Sequence, residues 1–243
     1  MHNPRKLVSR LIITSILLGM SLAAQSATIR VSQESSAGAG DFDSNVLGFV
    51  DSYSSALTAS EYYGYSTNFA ASFDDGDQDV TLTSNKSHVF FVDGADGLSA
   101  FFVHDKPVDG SGGGALMTLD LVGDGASVLV RDDNEATGLP SGPNHFEMNR
   151  AWSPCCTDGF VIGSLDDDWS LFAEFDAFTA RGLTWTDFDG WWVFDGATSI
   201  DLASDLDRRV RFDLNPIPLP AAAWLFGTAL IGLVGYSRRR KAA

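Results

Sequence analysis

The chain has 243 residues, 44% of them apolar, and a formal net charge of −16. That length holds one large domain or two small ones, and the apolar content supports an ordinary packed core. The acidity argues against nucleic acid and anionic lipid as partners. Residues 1–27 read as a secretory signal peptide. A basic start (Arg5, Lys6, Arg10) leads into an apolar run at 11–22, and the small residues Ala23, Ala24, Ser26 and Ala27 follow. Cleavage after Ser26 puts Ala24 at the −3 position; cleavage after Ala24 or Ala27 also fits. The alternative, an uncleaved anchor, is disfavoured because the run is shorter than the about 20 residues a span needs.

The middle region, 28–215, holds all 32 acidic residues but nine of the 16 basic ones, a formal charge of −23. Such a charge suits a solvated extracellular domain or one that holds divalent cations. No long amphipathic helix is evident. Apolar residues recur with period two in short runs, the signature of half-buried strands. The predicted strands are 28–33, 79–83, 88–92, 98–103, 115–122, 127–131, 171–178, 199–202 and 209–214. Asp93-Gly94, Asp96-Gly97, Asp109-Gly110, Asp124-Gly125 and Asp195-Gly196 mark turns between them. Residues 110–114 read as a flexible loop and 138–163, rich in Pro, Gly and Asn, as a long loop. The fold expected is all-β, a single β-sandwich of jelly-roll type.

Asp74, Asp75, Asp77 and Asp79 have the spacing of calcium-loop carboxylates. An EF-hand register starting at Asp75 places Asp77 and Asp79 correctly but puts Val80 where glycine belongs and Lys86 where glutamate belongs. The run therefore fits an EF-hand poorly. A calcium site of another kind at Asp75, Asp77 and Asp79 competes with plain Asp-rich turns, as it does for Asp132, Asp133 and Glu135 and for Asp166, Asp167 and Asp168. Cys155 and Cys156 are the two cysteines, and they are adjacent. An oxidising compartment favours a vicinal disulfide. Adjacent Cα atoms stand about 3.8 Å apart, below the usual range of about 4.4–6.8 Å for bridged cysteines. Such a bridge stiffens the turn at 154–159; free thiols and an interchain bridge are the alternatives.

Trp191 and Trp192 lie side by side, so on a strand they point to opposite faces. One is expected in the core. The other is either a core edge or an exposed platform for a sugar ring. Catalytic signals are few: the region has His88, His104 and His145 but no G-x-S-x-G elbow and no HExxH helix. Carboxylate pairs are too abundant to single out a glycosidase pair. The domain reads as non-enzymatic, with no cofactor beyond a possible calcium ion.

The tail, 216–243, opens with Pro216, Pro218 and Pro220. Residues 221–236 then carry no charge, and Arg238, Arg239, Arg240 and Lys241 close the chain. A helix over 219–236, flanked by Trp224 and Tyr236, is expected to cross the membrane. The basic end at 238–241 stays in the cytoplasm and puts the acidic domain outside, where the leader also sends it.

Pro218-Leu219-Pro220, the apolar helix and Arg238-Arg239-Arg240, in that order, resemble a PEP-CTERM sorting signal. Leu219 stands where the family name has glutamate. The resemblance covers 28 residues. It implies recognition by exosortase, a membrane-embedded transpeptidase-like enzyme, with cutting near the proline motif and transfer to the cell surface or its exopolysaccharide matrix. A removable apolar tail holds the substrate in the membrane meanwhile, as in lipid-anchor signals. The role then expected is structural or adhesive. A carbohydrate- or calcium-binding surface module is the alternative.

Overall fold

A computed structural model of the chain describes residues 26–64, 73, 80–106, 112–123, 125–132, 140–142, 144–165, 168–179, 190–202 and 208–215. The leader up to residue 25, the acidic run at 74–79, the proline motif, the apolar tail helix and the basic end lie outside them. Among the described residues no helix is long and apolar enough to cross a membrane.

In chain order the strands are β1 (Thr28–Gln33), β2 (Val46–Asp51), β3 (Tyr53–Ser54), β4 (Ser87–Gly94), β5 (Gly97–His104), β6 (Gly113–Gly123), β7 (Ser127–Arg131), β8 (Pro140–Gly142), β9 (His145–Trp152), β10 (Asp158–Gly163), β11 (Trp169–Thr179), β12 (Trp191–Phe194), β13 (Ser199–Leu202) and β14 (Val210–Asn215). Among the described residues one short helix, α1 (Ala59–Tyr63), interrupts them. The first sheet runs β2-β1-β14-β11-β6-β9-β8. The second runs β13-β12-β4-β5-β10-β7, with β3 added beside β4. Pairing is antiparallel except for β12 and β3, which both run parallel to β4. The chain is all-β, as its period-two patterning predicts.

The two sheets stack on one apolar core. From the first come Ile29, Val31, Met117, Leu119, Leu171 and Phe212; from the second, Val89, Phe91, Ala100, Phe102, Phe160 and Val193. These residues alternate with polar or opposite-facing ones along each strand, so a one-residue register slip would expose the whole set. Rings interlock across the gap, with Phe91 against Trp169 at 6.0 Å and Phe102 against Phe212 at 6.4 Å. The β4–β5 hairpin supplies four of the twelve, and its Gly94–Gly97 closing pair needs glycine at Gly97, where φ is +98°.

A second apolar cluster covers the far side of the second sheet. Phe90, Val92, Phe101, Val103 and Val161 point outward from their strands and meet Ala59, Tyr62 and Tyr63 of α1 together with Phe73, Val80 and Leu82. The helix is short, and its ends are closely specified. Thr58 caps it through the Glu61 N–H, Glu61 returns a bond to the Thr58 N–H, and Gly64 ends it in the left-handed region.

Three expectations need correction. Residues 80–83 form no strand. Their alternation is real, but Val80 and Leu82 lie over the second sheet instead of joining it. The long loop expected at 138–163 contains β8, β9 and β10. Pro140, Gly142, Asn149, Gly159 and Gly163 stand within these strands, and Phe146, Met148 and Trp152 alternate inward along β9. Gly113 and Gly114, expected in a flexible loop, open β6 and pair with Trp152 and Ala151.

Candidate functional site

Of the residues the sequence singles out, Trp191 and Trp192 do part to opposite faces. Trp191 is buried between the sheets, its ring 4.2 Å from that of Phe175, so it is no sugar platform. Trp192 is half-buried on the far side of the second sheet, with the Lys86 ammonium 5.7 Å from its ring centroid and Phe194 and His88 beside it. Lys86 is held there by Asp201, 2.7 Å away. Cys155 and Cys156 are joined by a disulfide in the exposed β9–β10 connection. Asp75, Asp77, Asp79, Pro218, Leu219, Pro220, Arg238, Arg239 and Arg240 lie outside the described residues. Among the described residues no group of three or more His, Cys, Asp or Glu side chains is placed to hold a metal ion.

The surface with most chemistry is the outer face of the first sheet. Strand registers arrange its side chains in rows. One row reads Phe49, Arg30, Asp213, Ser170, Val122 across β2, β1, β14, β11 and β6. The next reads Val46, Ser32, Arg211, Phe172, Asp120, His145 and ends on β9. Beyond it, Glu174, Thr118 and Glu147 stand in line, with Arg209 3.8 Å from Glu174.

Charges on this face are paired across strands. Asp213 accepts from Arg30, from Arg211 at 3.0 Å and from Ser170 at 2.5 Å. Arg30 and Arg211 also grip Asp43, whose side chain is 80% exposed. The Arg211 bond, with Arg30 behind it, holds the Asp43 carboxyl below the usual carboxylate range. Arg209 bonds Asp120 at 3.0 Å, and Asp120 stands 2.5 Å from His145 Nδ1. Burial raises Glu174 above its ordinary value against the pull of Arg209, with Asp176 and Asp120 adding to the rise.

Two rings underlie the guanidinium groups: Arg211 lies over Phe42 and Arg209 over Phe172, and the two rings meet edge-to-face at 5.3 Å. At the β2 edge Val46, Leu47 and Phe49 are 39–47% exposed. They are three of the four large apolar side chains exposed among the described residues; Val122, on the same face, is the fourth. The face thus offers hydrogen-bond donors, acceptors and an apolar border on one sheet.

A second polar group is enclosed where β5, β7 and β9 end and β10 begins. His104, Asp105, Asp132, Arg150 and Asp158 are each no more than 1% exposed. Ser87 Oγ lies 2.7 Å from His104 Nδ1, and Trp152 stacks on that imidazole at 5.4 Å while donating to Asp105 at 2.9 Å. Tyr63 donates to Asp132 at 2.7 Å, and Arg150 Nη1 donates to the Asp132 carbonyl at 3.1 Å. Asp158 accepts from the N–H groups of Ala151 and Gly159, both at 2.6 Å. A Cβ at Gly159 would stand 2.3 Å from the Phe102 carbonyl and 2.8 Å from the Tyr63 hydroxyl, so glycine is what lets Tyr63 cross to Asp132.

Ser87 and His104 have the shape of a nucleophile–base pair. Burial, with Arg150 nearby, lowers His104 to about 3, and both side chains are closed to solvent. As placed, the imidazole is too weak a base and too enclosed to activate Ser87 near neutral pH.

Neither site is fully announced by the sequence. Arg209 and Arg211 stand in the alternating run of β14, but their partners Asp43, Asp120 and Glu174 come from three distant segments. Arg150 lay in a stretch read as loop. Comparisons with known protein families, with curated proteins and with solved structures find no match for the chain.

Proposed function

We propose that the chain is an exported cell-surface or extracellular-matrix protein, sorted through its tail by an exosortase-type enzyme, with a structural or adhesive role and no catalytic one. Leader and tail support the same topology independently of each other. The jelly-roll-like winding belongs to this reading, and the strand order favours it: from β5 to β14 the chain passes repeatedly from one sheet to the other. The observation that carries the adhesive role is the open face of the first sheet. Its half-exposed Arg30, Arg209 and Asp120 and exposed Glu147, bordered by Phe49 and Leu47, suit a polyhydroxylated partner such as matrix exopolysaccharide. Hydroxyl groups both donate and accept, and the C–H faces of sugar rings rest on apolar side chains.

The test is a doubly tagged chain in its own cells, one tag after Thr28 and one after Ala243. Protease added to intact cells removes the first tag, and the second is missing from the surface-held form. A first tag sheltered inside the cell overturns the reading. A second reading, a neutral-glycan site at Trp192, is favoured by its half-exposed indole beside the Lys86–Asp201 pair. Glycan binding that disappears in Trp192→Ala and persists in Arg211→Ala would select it over the open face.

A further inference from the structure

The enclosed polar group contains atoms that have no hydrogen-bond partner among the described residues. Arg150 is 0% exposed, and its Nη1 donates to the Asp132 carbonyl; among the described residues Nε and Nη2 have no hydrogen-bond partner. Those two nitrogens form the edge of the guanidinium that grips planar oxygen pairs. His104 Nε2, buried in the same end of the sandwich, is likewise without a hydrogen-bond partner among the described residues. Both side chains face the gap between the sheets. Arg150 shares its strand face with Phe146, Met148 and Trp152, and His104 shares its face with Phe102. Backbone pairing sets Asp158 directly beside His104.

Leaving a buried charged donor unbonded forfeits its hydration with nothing in return. The nearby carboxylates do not fill the fork. Asp158 is engaged by two backbone N–H groups, and the Oδ2 oxygen of Asp132 by the Tyr63 hydroxyl. The missing partner must therefore accept at least two N–H bonds inside the protein. An anion meets that need, but it would sit beside the carboxylates of Asp132 and Asp158, where like charge opposes it. A neutral species that accepts and also donates meets the need without repulsion, and it can extend the network to an imidazole nitrogen. That is the chemistry of water, which in protein interiors makes about 3 hydrogen bonds to otherwise unbonded groups.

We infer that the sandwich holds an internal hydration site: ordered water bound in the Nε–Nη2 fork of Arg150 and continuing toward His104 Nε2. The rest of the gap, lined by Ile29, Val31, Leu171, Phe91 and Phe212, is dry. The site fixes the Arg150 guanidinium, and through it the Asp132 carbonyl at the end of β7. It thus ties the two sheets together at the end that also carries the Cys155–Cys156 connection.

A crystal structure of the chain, with a second data set from a bromide-soaked crystal, tests this. The expected result is a density peak about 2.7–3.2 Å from both Nε and Nη2, refining as water and giving no bromide signal. An Arg150→Met variant then shows the peak gone and apolar atoms in its place. Should that variant fail to fold, the native crystals still decide. A bromide peak in the fork, a direct carboxylate–guanidinium pair there, or a fork facing no density overturns the inference.

Discussion

The two outer faces of the sandwich are built from the same strand geometry and put to opposite uses. On the second sheet the outward residues are Phe90, Phe101, Val103 and Val161, roofed by α1 and by Val80 and Leu82. On the first the outward residues are Arg30, Arg211, Phe172, Asp120 and Glu174, and much of that face meets solvent. A buried face needs continuous apolar runs, and β4 and β5 supply them. A solvated face needs alternation, and β14 and β11 supply that. The lesson is that the outward residues of a strand, more than its core residues, declare whether that side is structural or available.

That contrast can be broken first at its covered side. Phe101→Ala removes a ring stacked on Phe90 at 5.0 Å and touching Tyr62 and Tyr63. A loss of about 3–5 kcal/mol in denaturant-measured stability is expected. A loss under 1 kcal/mol, or about that, would mean that α1 and its flanks do not truly seal the sheet.

Acid comes next. Burial lowers His88 to about 4 and His104 to about 3. Both are neutral in the fold, and His88 has its tautomer set by the Thr83 N–H and the Val103 carbonyl. Unfolded imidazoles gain protons below about 6.5. The stability that these rings contribute is therefore full above that pH and is lost as pH falls toward about 4, on the order of 2 kcal/mol per ring between pH 7 and 5. Asp158 works the other way: burial, with Asp132 beside it, holds its carboxyl well above the usual range, so acid relieves its charge. Denaturation midpoints at pH 7 and pH 5 should fall for the native chain and fall less for His104→Gln.

On the open face, Asp213→Ala strips Arg30, Arg211 and Ser170 of a shared acceptor. It should cost about 2 kcal/mol, because the Asp213 side chain is only 13% exposed. Asp43→Ala touches the same two arginines from the solvent side and should leave the melting temperature unchanged. Equal effects from the two aspartates would contradict the burial gradient across this face.

Much of the fold was legible. Residues 28–33, 127–131 and 199–202 match β1, β7 and β13, and 88–92 and 98–103 fall inside β4 and β5. Their signals are local, set by alternation and by bounding turns. What escaped was decided by distant contacts. β2 reads poorly because Val46, Leu47 and Phe49 turn outward where polar residues are expected. β9 escaped because its inward set includes Arg150, a charge that only the Asp132 carbonyl and the enclosed end of the sandwich explain. Val80 and Leu82 alternate like a strand yet serve as a roof, a distinction that no period can carry. The open face was the least legible feature, since its rows join residues as far apart as Arg30, Asp120 and Arg211. The sequence pointed to Trp191 and Trp192 instead, and one of these is core.

Carboxyl-labelling footprints of the chain, taken once on the purified protein and once on intact cells in their own matrix, bear most directly on the claim that the open face is the contact surface. The account predicts that Asp43, Asp120, Glu147 and Asp176 label in the purified protein and are shielded on cells, while Asp201 beside Trp192 labels alike in both. Equal labelling of all five in the two settings would contradict it.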